Sequence, residues 1–332
     1  MMENYDRFSL LKATFKGQKA EKVPYALWKH FPEADKTSEG LARAQIEYQA
    51  KFKSDLMKIS PHGSYCVVDF GATLGNYNPI SGSRICEQPP ISSINDWETL
   101  EPVDPNDGEF GAQIKAVELI HREVENVIPT MMTVFSPFMV AAKLDPSLLK
   151  HLMQDRQLLL GQISMLTKLT SEFANAVLDA GANGLFLATQ HFNPALPKEE
   201  IQDFEFQPMK IILQNVTKKV LFNIMHLHGE NPHFKWATQL PNISGINWHD
   251  QRTAPSLQEA RQDFKGALLG GLDEMNLIRK GSKDDIQHSI KTLFKKFNDR
   301  GLIYAPGCVL PLDVPEQNLQ YVIETVNSLV PI

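Results

Sequence analysis

The sequence predicts an α/β fold, a (β/α)8 TIM barrel. From Val23 onward, short apolar runs alternate with longer amphipathic segments. Strands that alternate with helices pair in parallel, because each crossover needs a covering layer. Eight candidate strands in this rhythm can close on themselves, which removes the exposed sheet edges. An open doubly wound sheet is the rival, but no glycine-rich phosphate loop follows a candidate first strand.

The strands are predicted where short runs are rich in apolar and β-branched residues. These runs are Val23–Trp28, Asp55–Ser60, Val127–Phe135, Gly184–Thr189, Val220–His228, Ile243–Trp248, Lys265–Leu272 and Leu302–Cys308. Helices are predicted between them, and Asp145-Pro146 marks one helix start with a capping carboxylate and a first-turn proline. The predicted helices are Ser38–Lys53, Gly111–Glu125, Pro146–Asp179, Lys198–Val216, Ser256–Arg261, Lys283–Asn298 and Pro315–Leu329.

We expect a single domain over residues 1–332, with a helical lead-in over 1–22. Residues 69–107 interrupt the rhythm and are rich in Gly, Pro, Ser and Asn. This composition predicts an extended loop or a small hairpin inserted into the barrel, serving as a lid or as a partner surface.

The composition is that of a globular protein, with 42% hydrophobic and 22% charged residues. The formal net charge of -6 argues against binding to nucleic acid or to an anionic membrane. No signal peptide or membrane span is evident, and three cysteines fit a reducing cytoplasm better than a disulfide framework. Arginine is scarce among the 33 cationic residues, although a site that clamps several carboxylates normally needs arginine.

The candidate site is the mouth formed by the carboxyl ends of the strands, where barrels of this kind collect their functional residues. His226 and His228 close one apolar run and, being two apart on a strand, point to the same face. Cys308 closes another run. Two imidazoles and a thiol suit a zinc ion with one open position. The alternative is a buried polar histidine, a turn histidine and a small buried cysteine without metal.

Other candidates lie at or just beyond predicted strand ends. His249 and Asp250 could act in catalysis, although Asp250 could simply cap the following turn. Further residues are candidates for substrate contacts: His30, His191, Arg252, Asp55 and Asp273. For Arg252 a surface salt bridge is the alternative, and for Asp273 it is a helix cap.

The C-terminal half resembles the uroporphyrinogen decarboxylase superfamily. The resemblance lies in segments 240–250, 265–273 and 302–311, in their order and spacing, and in 180–186. It covers the rest of the chain thinly, with Arg7-Phe8 and Val23-Pro24 similar to the family's opening. It implies a (β/α)8 barrel with its site at the carboxyl-terminal mouth, and commonly a homodimer.

Two branches of this family differ in chemistry. The decarboxylases act on porphyrinogens without a metal and carry an arginine loop, RQAGRY, after the first strand; the corresponding stretch here, 28–33, has no arginine. The decarboxylase pattern also has a histidine where this chain has Cys308. The other branch comprises zinc-dependent methyltransferases, which pass a methyl group, often from a corrinoid protein, to a thiol such as coenzyme M. Their zinc motif is His-x-Cys with a late Cys.

His226 and Cys308 match the first and last positions of that motif, and His228 replaces its middle cysteine. The resemblance therefore favours zinc-assisted methyl transfer to a thiol, with a small-molecule substrate and a corrinoid protein as partner. The alternatives are a uroporphyrinogen decarboxylase of porphyrin biosynthesis, in which Asp55 or Asp250 stabilises a protonated pyrrole, and a non-catalytic barrel that binds a small ligand.

Overall fold

The computed structural model describes residues 5–216, 220–297 and 300–330. In this part of the chain the strands, β1 to β9, are Met57–Ile59, Thr73–Tyr77, Arg84–Gln88, Thr130–Phe135, Gly184–Thr189, Phe222–Leu227, Gly245–Trp248, Ala267–Leu272 and Leu302–Pro306. The helices, α1 to α15, are Arg7–Phe15, Ser38–Phe52, Tyr65–Val68, Ile94–Glu98, Gly108–Val124, Pro137–Leu144, Leu148–Gln154, Arg156–Asp179, Lys198–Ile201, Gln207–Val216, Phe234–Ala237, Leu257–Asp263, Leu277–Lys280, Lys283–Phe297 and Glu316–Asn327.

The central sheet has seven parallel strands in the order β1-β4-β5-β6-β7-β8-β9. Each strand pairs with the next one in this order, and helices connect them, as parallel pairing requires. The curled sheet with its helices is a TIM-barrel-like α/β fold. All carboxyl ends of these strands consequently lie at one end of the sheet.

The predicted first strand, Val23–Trp28, is present only as a single parallel bridge between Tyr25 and Tyr304. Ala26 N donates to Tyr304 O at 2.9 Å, and Asp55 N donates to Tyr25 O at 2.9 Å, so this segment is bonded to both neighbours. Instead of pairing regularly with β1, this segment donates backbone hydrogen bonds to side chains that precede β1. The Tyr25 amide donates to the Asp55 carboxylate at 3.0 Å, and the Leu27 amide donates to Ser54 Oγ at 3.1 Å.

A compact apolar cluster fills the inside of the curled sheet. Its members alternate along the strands, as the two-residue period of a strand requires, and include Ala26, Trp28, Leu56, Met131, Phe186, Phe222, Ile224, Ala267, Leu269, Ile303 and Ala305. Leu11 and Phe15 of α1 complete the cluster, and Phe15 stacks on Phe222 at 4.8 Å. Helix α1 therefore covers the amino end of the sheet, which leaves the carboxyl end for a site.

The 69–107 segment contains an antiparallel hairpin, β2 and β3, followed by α4. The hairpin is bonded to the loops at the carboxyl end: Leu312 N donates to Ile80 O at 2.8 Å, and Ser64 Oγ donates to Arg84 O at 3.0 Å. Buried Trp97 of α4 donates to Asp145 at 2.8 Å. These bonds place the hairpin over the mouth.

Two predicted long helices are interrupted. The helix predicted over 146–179 breaks at Asp155, whose carboxylate caps α8 by accepting from Leu158 N. The one predicted over 198–216 contains a π-helical turn, Gln202–Phe206, which carries the fully buried Glu205. Within the described ranges, no helix combines the length and apolar character needed to cross a bilayer.

Candidate metal centre

A cavity of about 230 Å³ opens at the carboxyl end of the sheet. Its wall is largely apolar and aromatic, with a few polar groups. The lining residues are Trp28, His30, Lys58, Pro61, Gly63, Ser81, Ser83, Thr133, Phe135, Met139, Lys143, Phe186, Ala188, Gln190, His226, His228, Cys308 and Val309. This set contains two lysines and three histidines but no arginine, aspartate or glutamate.

His226 is held in one orientation by Asn247 on the adjacent strand. The side-chain amide of Asn247 donates to Leu269 O at 2.9 Å and to Pro306 O at 3.0 Å, so its Oδ1 faces His226 Nδ1, 2.6 Å away. An amide oxygen only accepts, so His226 Nδ1 carries a proton and its Nε2 keeps a free lone pair. A neutral imidazole with one nitrogen hydrogen-bonded and the other free is the usual form of a metal ligand.

His228 and Cys308 complete a group that can hold a metal. The ligand atoms of His226, His228 and Cys308 all lie within 4.8 Å of one another. Cys308 Sγ lies 3.7 Å from His228 Nδ1. Tetrahedral zinc, with bonds of ~2.3 Å to sulfur and ~2.0 Å to nitrogen, separates such atoms by about 3.5 Å. The donor types therefore fit zinc and the Cys308–His228 separation is close to that value, while the group as a whole, with atoms up to 4.8 Å apart, would contract by about 1 Å around the ion.

The electrostatics of the three groups favour neutral histidines. Burial, reinforced by His228 and His249, lowers the pKa of His226 well below its usual range. Burial likewise lowers the pKa of His228 to about 4. Burial, followed by the charge of Glu274, raises the pKa of the Cys308 thiol to about 11, so a metal ion must displace a thiol proton there.

His249 lies beside the ligand group. Arg252 donates through Nη2 to His249 Nδ1 and, at 2.6 Å, to Glu274 Oε1. Because a guanidinium only donates, His249 Nδ1 accepts, and a proton on His249 Nε2 points at His228 Nδ1, 3.3 Å away. His228 Nδ1 would have to give up this contact to bind a metal. Glu274 also accepts from Gly307 N at 3.1 Å, next to Cys308. Arg252 and Glu274 thus connect His249, which lies beside His228, to Gly307, which precedes Cys308.

Phe186 forms the floor of the cavity and links several groups. His226 stacks on its ring at 5.2 Å, and the Lys58 ammonium lies 4.8 Å from its centre. Lys58 donates to Ser60 Oγ at 2.9 Å, and burial lowers its pKa to about 7. Lys143 lies 5.4 Å from the centre of the Phe135 ring.

Of the residues predicted to contact substrate, only His30 lines the cavity, and its buried Nδ1 has no hydrogen-bond partner among the described residues. His191 points into a separate surface pocket and packs against Phe138 at 5.2 Å. The neighbouring Gln190 takes the place in the cavity that was expected for His191. One residue along a strand end is enough to change the side to which a side chain points.

Asp55 lies at the amino end of β1, so the prediction that it contacts substrate disagrees with its position. It is fully buried and binds Lys22 at 3.2 Å, Tyr5 and the Tyr25 amide. Asp273 also lies outside the cavity wall. It accepts from Met275 N at 3.1 Å and Asn276 N at 3.0 Å. These bonds agree with the alternative that Asp273 has a capping role.

Arg252 and Asp250 likewise do not line the cavity. Arg252 is engaged by Glu274, so it is not free to clamp a substrate carboxylate. Asp250 accepts from Gly271 N at 3.1 Å and from Gln251 at 2.5 Å, which fastens the loop after β7 to β8. Burial raises its pKa to about 7. Direct catalytic contact by Asp250 or His249 stays a prediction.

Sequence reasoning did not single out three residues of the site: Asn247, Lys143 and Glu274. Lys58 is a strand-end residue on the opposite face from Asp55, so the sequence allows only one of the two to point into the barrel. Asn247 is a polar residue between Ile246 and Trp248 in an apolar strand, and Lys58 lies between Met57 and Ile59 in another. A lone polar residue in a buried strand is a usable signal, because its burial needs a partner. Lys143 and Glu274 gave no comparable signal.

Comparison with known proteins matches the chain to a protein family, to a curated relative and to solved structures. The family model described as "Uroporphyrinogen decarboxylase (URO-D)" matches residues 11–329. A uroporphyrinogen decarboxylase of Wigglesworthia glossinidia brevipalpis is 22% identical over 256 residues, 72% of this chain and 69% of that protein.

Among solved structures, a methyltransferase from Methanosarcina mazei superposes with a TM-score of 0.84 at 17% identity, covering 97% of this chain and 98% of that one. A B12-independent methionine synthase from Shewanella sp. W3-18-1, in complex with selenomethionine, has a TM-score of 0.57 at 12% identity, with coverages of 93% and 94%. At these identities the structural likeness concerns the fold.

Proposed function

The chain belongs to the uroporphyrinogen decarboxylase family, and we propose that it is a zinc-dependent methyltransferase that methylates a small-molecule thiol. The observation that carries the proposal is the convergence of His226, His228 and Cys308 at one cavity wall, with ligand atoms within 4.8 Å of one another. Neighbours of the same fold include proteins named as a methyltransferase and a methionine synthase, which favours this branch.

The chemistry divides between metal and protein. Zinc bound by His226, His228 and Cys308 would lower the pKa of a substrate thiol and supply it as a thiolate at neutral pH. Asn247 keeps the Nε2 lone pair of His226 available, and Phe186 holds its ring in place. The apolar wall excludes water from the reacting sulfur. In the transfer, sulfur donates an electron pair to the methyl carbon while the bond to the methyl carrier breaks and its electrons leave with the carrier.

Several further features are part of the same proposal. We propose that the methyl carrier is a corrinoid on a partner protein, that the chain forms a homodimer, and that residues 24–28 supply the eighth position of a closed single-domain barrel. Backbone bonds from this segment to both Tyr304 and Asp55 support the closure. Location in the cytoplasm stays a prediction.

The activity can be tested with methylcobalamin as the methyl donor and simple thiols as acceptors. We expect zinc-loaded protein to form the methyl thioether, detected by mass spectrometry, and Cys308→Ser to lose this activity. Cys86→Ser is the matched control, because Cys86 is a free cysteine outside the cavity wall. If the wild type and Cys308→Ser form equal amounts of thioether, the proposal is wrong.

Uroporphyrinogen decarboxylase is the second candidate, because curated relatives carry that name. Against it, no arginine lines the cavity, and Arg84 and Arg252 are bound to Asp35 and Glu274. Anaerobic incubation with a porphyrinogen tests this candidate, since loss of carboxylates under conditions where a control enzyme works would favour it. A non-catalytic ligand-binding barrel is the third candidate, and both assays would then be negative.

A further inference from the structure

A second cavity lies on the other side of the chain segment that borders the metal centre. Trp28 and His30 line the cavity at the mouth. Lys29 and Phe31, which alternate with them along the chain, line the second cavity instead. Its volume is about 290 Å³, which exceeds the ~150 Å³ of a cavity that holds benzene inside a protein. A small organic molecule therefore fits there without entering the metal centre.

The wall of the second cavity is largely apolar. Tyr48 of α2 packs between two aromatic rings, with centroid distances of 5.5 Å to Phe31 and 4.6 Å to Phe52. The loop after β9 and helix α15 contribute aliphatic side chains, namely Leu310, Leu312, Val314 and Leu319. Because burial of apolar surface drives binding, such a wall favours a ligand with an apolar body.

Lys29 places a positive charge in this wall. Its side chain is half-buried, and its Nζ lies 6.0 Å from the centre of the Phe31 ring. Glu316 also lines the cavity, but its Oε2 binds Lys51 Nζ at 2.5 Å. Glu47, the other acidic residue of the wall, is exposed to solvent. Lys29 forms no ion pair with any residue that the structure describes, so its ammonium lacks a direct negative partner.

Tyr48 adds an unused hydrogen-bond donor to the same wall. Its hydroxyl oxygen is buried and has no hydrogen-bond partner among the described residues. Buried hydroxyl groups are normally paired, because their transfer out of water is costly. A carboxylate that accepts from Tyr48 and lies against Lys29 supplies both missing partners. The unmet polar groups and the apolar wall therefore call for one molecule that carries both features.

We propose that this cavity is a second ligand site, and that it takes a small molecule with a carboxylate on an apolar body. The carboxylate binds Lys29 and Tyr48, while the body packs against the rings and leucines of the wall. The site goes beyond the proposed thiol methylation, because its ligand contacts none of the groups that hold the metal. It binds its ligand with or without zinc.

Isothermal titration calorimetry on the full chain, with and without added zinc, tests the site. The probes are 3-phenylpropionate, 3-phenyl-1-propanol and propionate, which carry both features, the apolar body alone and the carboxylate alone. We expect 3-phenylpropionate to bind at least about tenfold more tightly than either other probe. Lys29→Met should weaken its binding at least about tenfold, and Tyr48→Phe, which removes only the hydroxyl, about three- to tenfold.

Lys143→Met is the matched control, because Lys143 lines the cavity at the mouth and not the second one. It should leave the affinity for 3-phenylpropionate unchanged, and the melting temperature of each variant reports on its folding. Equal affinity for the three probes, no binding at all, or unchanged affinity in either Lys29→Met or Tyr48→Phe overturns the site. Binding that requires zinc, or that is lost in Lys143→Met, places the probe at the mouth and overturns it as well.

Discussion

Asn247 Oδ1 lies 2.6 Å from His226 Nδ1, while the amide nitrogen of Asn247 binds two backbone carbonyls, those of Leu269 and Pro306. Three neighbouring strands, β7, β8 and β9, thus fix the orientation of one amide, and that amide fixes the protonation of one imidazole. The free Nε2 of His226 is a consequence of strand order.

Asn247→Leu tests this relationship. The variant keeps the branched shape and the number of heavy side-chain atoms but removes the acceptor for His226 Nδ1, so we expect zinc affinity to fall about 10–100-fold. The two carbonyls lose their donors, and the free energy of unfolding should fall by roughly 1–3 kcal/mol. Zinc affinity is measured by competition with a chromogenic chelator, and stability by urea denaturation.

Asn318→Leu is the matched control for that variant. The Asn318 amide also donates to two backbone carbonyls, those of Ile278 and Gly281, but it is remote from the ligand group in the fold. It should lose similar stability without losing zinc affinity. Equal zinc affinity in the wild type and Asn247→Leu would show that the amide does not position His226.

Glu274→Gln should destabilise the protein. Glu274 is 3% exposed and is bound to Arg252 and to Gly307 N. Losing its charge leaves a partly buried guanidinium without its counter-ion, so we expect a loss of roughly 1–3 kcal/mol in the free energy of unfolding. Asp313→Asn is the comparison, because the pair of Asp313 with Arg279 is exposed at the carboxylate and should contribute less than about 1 kcal/mol. Equal losses in the two variants would contradict the role of Glu274.

Glu205 predicts a pH dependence of stability. Burial raises its pKa from an ordinary 4.5 to about 7, and Ser136 and Thr189 donate to its Oε1. The folded state therefore holds a proton that the unfolded chain releases above pH 4.5. The resulting stabilisation is complete below that pH and is lost as the pH rises through about 7.

Glu205→Gln keeps the acceptor oxygen but cannot ionise. Relative to wild type, its free energy of unfolding should increase between pH 5 and pH 8 by up to about 3 kcal/mol. Glu199→Gln, a change at an exposed glutamate of α9, should follow the wild type at every pH. Parallel pH curves for wild type and Glu205→Gln would mean that Glu205 is ionised in the folded protein throughout.

The ligand group could be predicted from the sequence because it depends on local periodicity. His226 and His228 are two apart on one strand, and Cys308 follows the end of another, so parallel pairing brings them to the same mouth. The sheet order follows from the same alternation of strands and helices. The carboxyl-end location of the cavity needed no long-range information.

The surrounding contacts could not be predicted, since they depend on which residues meet across the fold. Asp55 and Lys58 lie close in sequence, yet Asp55 is bound at the amino end while Lys58 reaches the cavity. Tyr5 and Lys22, which lie outside the sheet, bind Asp55. The spacing of apolar residues along the chain does not predict such a contact. Likewise, only the fold shows that Glu274 engages Arg252.

The zinc content of the purified protein tests the account most directly. Inductively coupled plasma mass spectrometry after zinc incubation and gel filtration should find about one zinc ion per wild-type chain. His226→Ala and Cys308→Ser should retain almost none, whereas Cys86→Ser should match wild type. A wild type that keeps no zinc, or ligand variants that keep as much as wild type, would contradict the metal centre.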